Sequence, residues 1–244
     1  MRMPHINLDE NIGCSRVILP GDPKRAERVA EHLDNVEDLG MNREYRALKG
    51  TYKGVPVLSM STGMGGPSTA IAVEELYKLG FKALIRIGSA GGLKGSLKKG
   101  DLVIVTGAIR DDGTSLTYVE PQYPAISDFS LTCILKIKAA ELGYRHSLGI
   151  VRSHDALYSD RNPDLYSKWG ATPALASDME TATLLTVASL RGLKAASILN
   201  VVAVHDSDIA ASIGEYNDGN ETAMSGETRE IILALEALAA LQEV

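Results

Sequence analysis

The sequence predicts one α/β domain, residues 1–244, wrapped around a largely buried mixed sheet. Three observations carry that prediction. Short apolar runs such as 16-RVILP-20, 83-ALIRIG-88 and 195-AASILNVVAV-204 have strand length and end near turn residues. Between them lie segments with helical periodicity, so strand and helix patterns alternate. No repeat, low-complexity tract or linker breaks the 244 residues, a length that fits one large domain.

Taken in order, 16–20 reads as a buried strand and a Pro-initiated helix follows from Pro23 to about Leu33. Segments 44–53 and 55–62 form a hairpin that turns at Lys53-Gly54. STAIAVEELYKLG gives a helix over about 67–79, with Gly80 as its C-terminal stop. Buried strands are expected at 83–88 and 101–109, and further strands at 145–152 and 195–204. Helices are expected at 129–142, 179–191 and, in the Ala/Leu-rich tail, about 222–243. Residues 110–124 and 205–220 read as long loops, which are often functional.

Composition narrows the function. Net charge is −6, which argues against a nucleic-acid surface, so any anion site must be local. The N-terminus lacks a signal-peptide core and no apolar run approaches about 18 residues, so no membrane span is expected. Cys14 and Cys133 form no ligand motif and suit free thiols in a cytoplasmic protein.

Five segments carry candidate chemistry. In 20-PGDPKR-25, Gly21 permits close backbone approach and Arg25 enters the first turn of a helix, whose free N–H groups suit a phosphate. The same stretch also reads as a plain turn with Asp22 as N-cap. In 84-LIRIGSAGG-92, Arg86 stands inside an apolar strand, followed by Ser89 and a Gly-rich run expected to turn and expose its N–H groups as an anion nest. A buried guanidinium needs a partner. Arg86 therefore meets either a carboxylate of the protein or an anion that arrives later. Arg43, in 42-NREYR-46, could reach out of its own subunit or be solvated. In 177-SDMETATLL-185, Asp178 and Glu180 open a helix, where they could cap it or hold a sugar diol. Finally, 204-VHDSD-208 follows a strand, at the end of the sheet where ligands of open α/β folds bind, so Asp206 could share a proton with a leaving group.

Together, 4-PHIN-7, 20-PGDPKR-25, 42-NREY-45, 61-STGMGGPSTAIAVEEL-76, 85-IRIGSAGG-92, 107-GAIRDDGTSLTY-118, 124-PAISDF-129 and 178-DMETATLL-185 resemble, in the same order, the purine nucleoside phosphorylase/uridine phosphorylase family. The resemblance implies a Rossmann-like α/β/α sandwich with a central mixed sheet, assembled as a trimer of dimers. It implies phosphorolysis of a nucleoside to free base and ribose 1-phosphate, with no cofactor and no catalytic metal. It assigns phosphate to Gly21, Arg25, Arg86 and Ser89, with Arg43 supplied by the neighbouring subunit. Glu180 would hold the ribose hydroxyls beside Met64 and Met179, and His5 would reach the 5′-hydroxyl across the dimer interface. On this reading Arg86 is paired by substrate rather than by the fold.

The family signs conflict over the base. STGMGGPSTAIAVEEL and GAIRDDGTSLTY look like uridine phosphorylases, yet the stretch between Tyr158 and Asp178 is short, has no Gln and offers only Arg161 for a uracil clamp. Asp206, with Asp208 as the alternative, can fill the role of the acid in purine-specific members. Asp178 replaces the commoner Glu of the family's E-M-E motif. Leu157 stands where many have a Phe, so Tyr158 would take over base packing. The expectation is a purine nucleoside ahead of uridine, with a nucleosidase or a non-catalytic nucleoside-binding relative as rivals.

Overall fold

A computed structural model describes residues 2–204, 207 and 209–242. Its centre is a 10-stranded mixed sheet. The chain enters it through β1 (Arg16–Pro20), crosses over by α1 (Pro23–Ala30), and then runs as a meander through β2 (Asp34–Asn42), β3 (Tyr45–Tyr52) and β4 (Val55–Met60). The β3–β4 hairpin turns at Lys53-Gly54 as expected, both in left-handed backbone conformations. Next come α2 (Gly66–Lys78), β5 (Ala83–Gly92), β6 (Leu102–Asp111), α3 (Gly113–Tyr118), β7 (Ala125–Ile126), α4 (Phe129–Glu141) and β8 (His146–His154). The chain ends with α5 (Asn162–Gly170), β9 (Ala176–Asp178), α6 (Thr181–Leu190), β10 (Lys194–Ala203), α7 (Ile209–Asn217) and α8 (Glu221–Ala240).

Alternation along the strands explains the layers. In β1, Val17 joins the core beneath α2 and α6, whereas Ile18 joins the core beneath α4 and α8. Both faces of the sheet are thus covered, which is why its strands read as continuous apolar runs. Helix starts follow side-chain chemistry: Asp22, Asp112, Asp128 and Asn220 each accept a backbone N–H of the helix they open. No helix among the described residues is long and apolar enough to cross a membrane.

The sheet also curls on itself. β5 pairs β10, β10 pairs β6, β6 pairs β8, β8 pairs β9, and β9 returns to β5, so five strands close a ring. β1, β4, β3 and β2 extend from it as an open wing.

Several elements depart from expectation. β2 is a strand although it is mostly exposed; it is held by pairing with β3 and by Arg46, whose Nη2 donates to Asp38 Oδ2 at 2.9 Å. The expected loops hold α3 and α7, and α5 fills a stretch with no assignment. The Gly-rich run after Arg86 is not a turn. Gly88 to Gly91 continue β5 paired with β10, with one register shift between Val201 and Ala203, so the run is strand and not the expected nest.

Candidate active site

Two buried arginines organise the site. Arg25 and Arg86 are each 4% exposed. Arg86 lies on β5 with its side chain folded back over Gly88, where any Cβ would collide with the guanidinium. That path takes Nε to Asp178 Oδ2 at 3.1 Å and Nη2 to Glu180 Oε2 at 2.6 Å. The expectation that Arg86 is left for substrate alone is therefore corrected. β9 delivers Asp178 beside β5, and α6 begins one residue after Glu180, so the fold itself supplies two carboxylates.

Both carboxylates are further anchored. Asp178 accepts from Ser153 Oγ at 2.5 Å and from Thr181 Oγ1 at 2.6 Å. Glu180 Oε1 accepts from the backbone N–H of Gly65 at 2.6 Å. Gly65 has φ 92°, a left-handed conformation that glycine adopts without strain. Burial raises the Glu180 carboxyl above its ordinary range and nearby Asp178 adds to this, while Arg86 opposes it.

Arg25 reaches the other way, into α8. Its Nε donates to Glu227 Oε2 at 2.8 Å, its Nη1 lies 3.5 Å from Glu230 Oε1, and its Nη2 donates to Ser89 Oγ at 2.8 Å. Tyr216 on α7 joins Arg25 and Glu227, and Arg28 on α1 also pairs with Glu227. Burial opposes ionisation of Glu227, but hydrogen bonding from Arg28 and the charge of Arg25 hold it below its ordinary value. Glu230 differs. Burial pushes it up to about 8, with Glu227 adding to the rise. At neutral pH it is largely protonated, so of these two α8 acids Glu227 carries the full negative charge that faces Arg25.

The remaining predicted residues fall around this core. Gly21 lies where β1 ends, its carbonyl accepting from Gly63 N–H at 3.0 Å; a Cβ there would sit 3.3 Å from the Gly63 carbonyl. Arg43 is exposed in the β2–β3 turn with φ 54°. Met64 is exposed and directly precedes the Gly65 that binds Glu180; Met179 is half-buried. His5 is tied to its own chain: Glu75 on α2 takes its Nδ1 at 2.7 Å and the N–H groups of His5 and Ile6 at 3.1 and 2.9 Å. Asp206 and Asp208 lie outside the described residues. Sequence reasoning missed Glu227, Glu230 and Tyr216. The available signal was Glu227 and Glu230, three apart and hence on one face, just before the apolar second half of the helix.

A cleft of about 770 Å³ opens at the carboxyl ends of β5 and β10, lined by Gly91, Leu93, Tyr166, Ala203, Val204 and Ser207 among others. Such a position suits a ligand in an α/β sheet. Of the residues singled out from sequence, Tyr158 lines it, while Arg25, Arg86 and Glu180 do not.

With this geometry in view, comparison with known proteins is informative. A family model described as the phosphorylase superfamily matches residues 15–239. The chain belongs to that superfamily. Uridine phosphorylase of Treponema pallidum is 43% identical over 208 residues, 81% of each chain. Guanosine phosphorylase of Halorubrum lacusprofundi is 34% identical over 244 residues, 98% of this chain and 99% of that one. The crystal structure of uridine phosphorylase from Vibrio fischeri ES114 aligns with a TM-score of 0.92 at 41% identity, covering 98% of both chains. This chain is thus a nucleoside phosphorylase of the pentosyltransferase type, with the mixed α/β fold of that family.

Proposed function

We propose that the protein is a uridine phosphorylase, converting uridine and phosphate to uracil and ribose 1-phosphate. The observation that carries this reading is the similarity to uridine phosphorylases in both sequence and structure, at 43% and 41% identity. It displaces the purine preference expected from sequence. Guanosine is the second reading, because the guanosine phosphorylase relative aligns over nearly the whole of both chains.

In this proposal phosphate binds between Arg25, Arg86 and Ser89, near Gly21, with Arg43 of a second subunit completing the grip. The internal pairs are compatible with it. Arg86 uses Nε and Nη2 on carboxylates and keeps Nη1 unbonded among the described residues. Carboxylates around both arginines hold the forks in place before substrate arrives, which limits the ordering cost at the reacting geometry. The phosphate dianion lies beneath C1′ and stabilises the cation that grows there. Holding two reactants in line supplies roughly 7–11 kcal/mol.

Glu180 takes the ribose hydroxyls, Met64 and Met179 pack on the sugar, Tyr158 on the base, and Asp206 or Asp208 faces the leaving base. His5 reaches a neighbouring subunit's ribose, which requires a homodimer-based assembly. The enzyme acts in the cytoplasm on small molecules.

The test is a product assay on uridine, guanosine, inosine and adenosine with and without phosphate. Phosphate-dependent release of uracil supports the main reading, and guanine alone supports the second. Base release that persists without phosphate points to a nucleosidase and overturns both.

A further inference from the structure

Three buried polar atoms lack a hydrogen-bond partner among the described residues: Arg152 Nη1, His154 Nδ1 and Ser177 Oγ. Their side chains are 2%, 4% and 5% exposed. Orphaned buried donors and acceptors are costly and call for an explanation. These three are not scattered. Arg152 on β8 is the register partner of Ser177 on β9, and Ser177 is the partner of Gly91 on β5. His154 follows Arg152 by two residues and so shares its face. The opposite face is taken by Ser153 and Asp178, which bond each other.

Two neighbours of this face line the cleft, although Arg152, His154 and Ser177 do not themselves line it. Gly91 lines the cleft and offers no side chain to cover the cluster; a Cβ there would meet open space. Tyr166 on α5 also lines the cleft, and its ring lies 5.8 Å from the Arg152 guanidinium and 6.1 Å, edge-on, from the His154 ring. Arg152 is held from one end, its Nε donating to Asp111 Oδ2 at 2.7 Å, which aims the fork and leaves Nη1 as a spare donor. Burial and the Arg152 charge lower the His154 pKa, so the imidazole is neutral and one ring nitrogen can accept.

We propose that Arg152 and His154, with Ser177, read the nucleobase edge. Arg152 Nη1 donates to a ring carbonyl and His154 Nδ1 accepts from the adjacent ring N–H. That pattern selects a lactam edge, –C(=O)–NH–, found in uracil as O4/N3–H and in 6-oxopurines as O6/N1–H. Cytosine and adenine present the reverse, an amino donor beside a ring acceptor, and set donor against donor at Arg152. The guanidinium sought after Tyr158 is thus supplied from the strand before it. The inference rests on the phosphorylase reading and deepens it.

The experiment compares wild type with Arg152→Met, Arg152→Lys, His154→Gln and Ser177→Ala on uridine, cytidine, inosine and adenosine at saturating phosphate. Wild type is expected to favour the oxo nucleosides. Arg152→Met should lower kcat/KM for uridine by about 10- to 100-fold. Most of the loss should fall in the uridine KM, with the oxo-to-amino ratio collapsing and the phosphate KM within about twofold of wild type. Arg152→Lys should recover part of the ratio. An active Arg152→Met with the ratio intact overturns the assignment, because a purely structural arginine would lower all substrates alike. If Arg152→Met does not fold, the ratio in His154→Gln decides in the same way. A wild-type protein that phosphorolyses no nucleoside refutes the phosphorylase reading and takes the base-reading assignment with it.

Discussion

Glu230→Gln gives a sharp test of the arginine–carboxylate core. Glu230 has no exposed surface, accepts the Gly88 N–H at 3.2 Å and has one carboxyl oxygen without a hydrogen bond. Burial raises its pKa from 4.5 to about 8. Below pH 4.5 the group is neutral in both folded and unfolded chains and its titration contributes nothing. From pH 4.5 to 8 the unfolded chain gives up the proton while the folded protein keeps it, so stability falls as pH rises. Above pH 8 the full penalty applies. A shift of about 3.5 pH units corresponds to ~5 kcal/mol as an upper bound. For a chain of 244 residues that is roughly 10 °C in Tm. Glutamine mimics the protonated acid and removes this dependence. The assay is Tm against pH from 5 to 9 in phosphate-free buffers. Wild type and variant should nearly coincide at pH 5, and the variant should gain several degrees by pH 9. Parallel curves would refute the claim that a buried proton sits beside Arg25.

Arg86→Met should lose phosphorolysis and also about 3–5 kcal/mol of stability, because Asp178 and Glu180 remain buried without their cation; denaturant unfolding and phosphate-dependent turnover check the two effects separately. Glu75→Ala removes the acceptor of two backbone N–H groups and the His5 ring. It should speed hydrogen exchange over residues 3–8 and cost about 2–4 kcal/mol, and unchanged exchange would remove Glu75 as the anchor. Burial pushes the Cys14 thiol up to about 12, so at pH 8 Ellman's reagent should label it far more slowly than free cysteine. Labelling at the free rate would show that thiol to be solvated.

Legibility followed the physics of each segment. β1, β5, β6 and β10 were readable because burial on both faces leaves a continuous apolar run. α2 was readable from its apolar face and the Gly80 stop. β2 was not, because an exposed strand carries no alternation; its conformation comes from pairing with β3. The site divides the same way. Arg86 stood out as a cation inside an apolar strand and Arg25 as a cation in the first turn of a helix, but their partners were invisible. Glu227 lies 202 residues from Arg25, and only the fold brings them together. The supposed nest failed because glycine was read as a turn signal, whereas Gly88 is needed to let the Arg86 side chain lie back along the strand. Arg152 was hidden in plain strand sequence, since nothing local marks which face of β8 meets Tyr166.

The closed ring has an evolutionary corollary. β9 is its three-residue keystone, and the same segment runs on into Asp178 and Glu180. Any substitution that shifts β9 must at once reopen the barrel-like girdle and misplace both acids. Drift there is doubly penalised, whereas a shift of α5, hung outside the girdle, leaves the ring closed and both acids in place. Changes of base preference should therefore come from side chains such as Arg152 and His154 on β8, while the backbone of the keystone stays fixed.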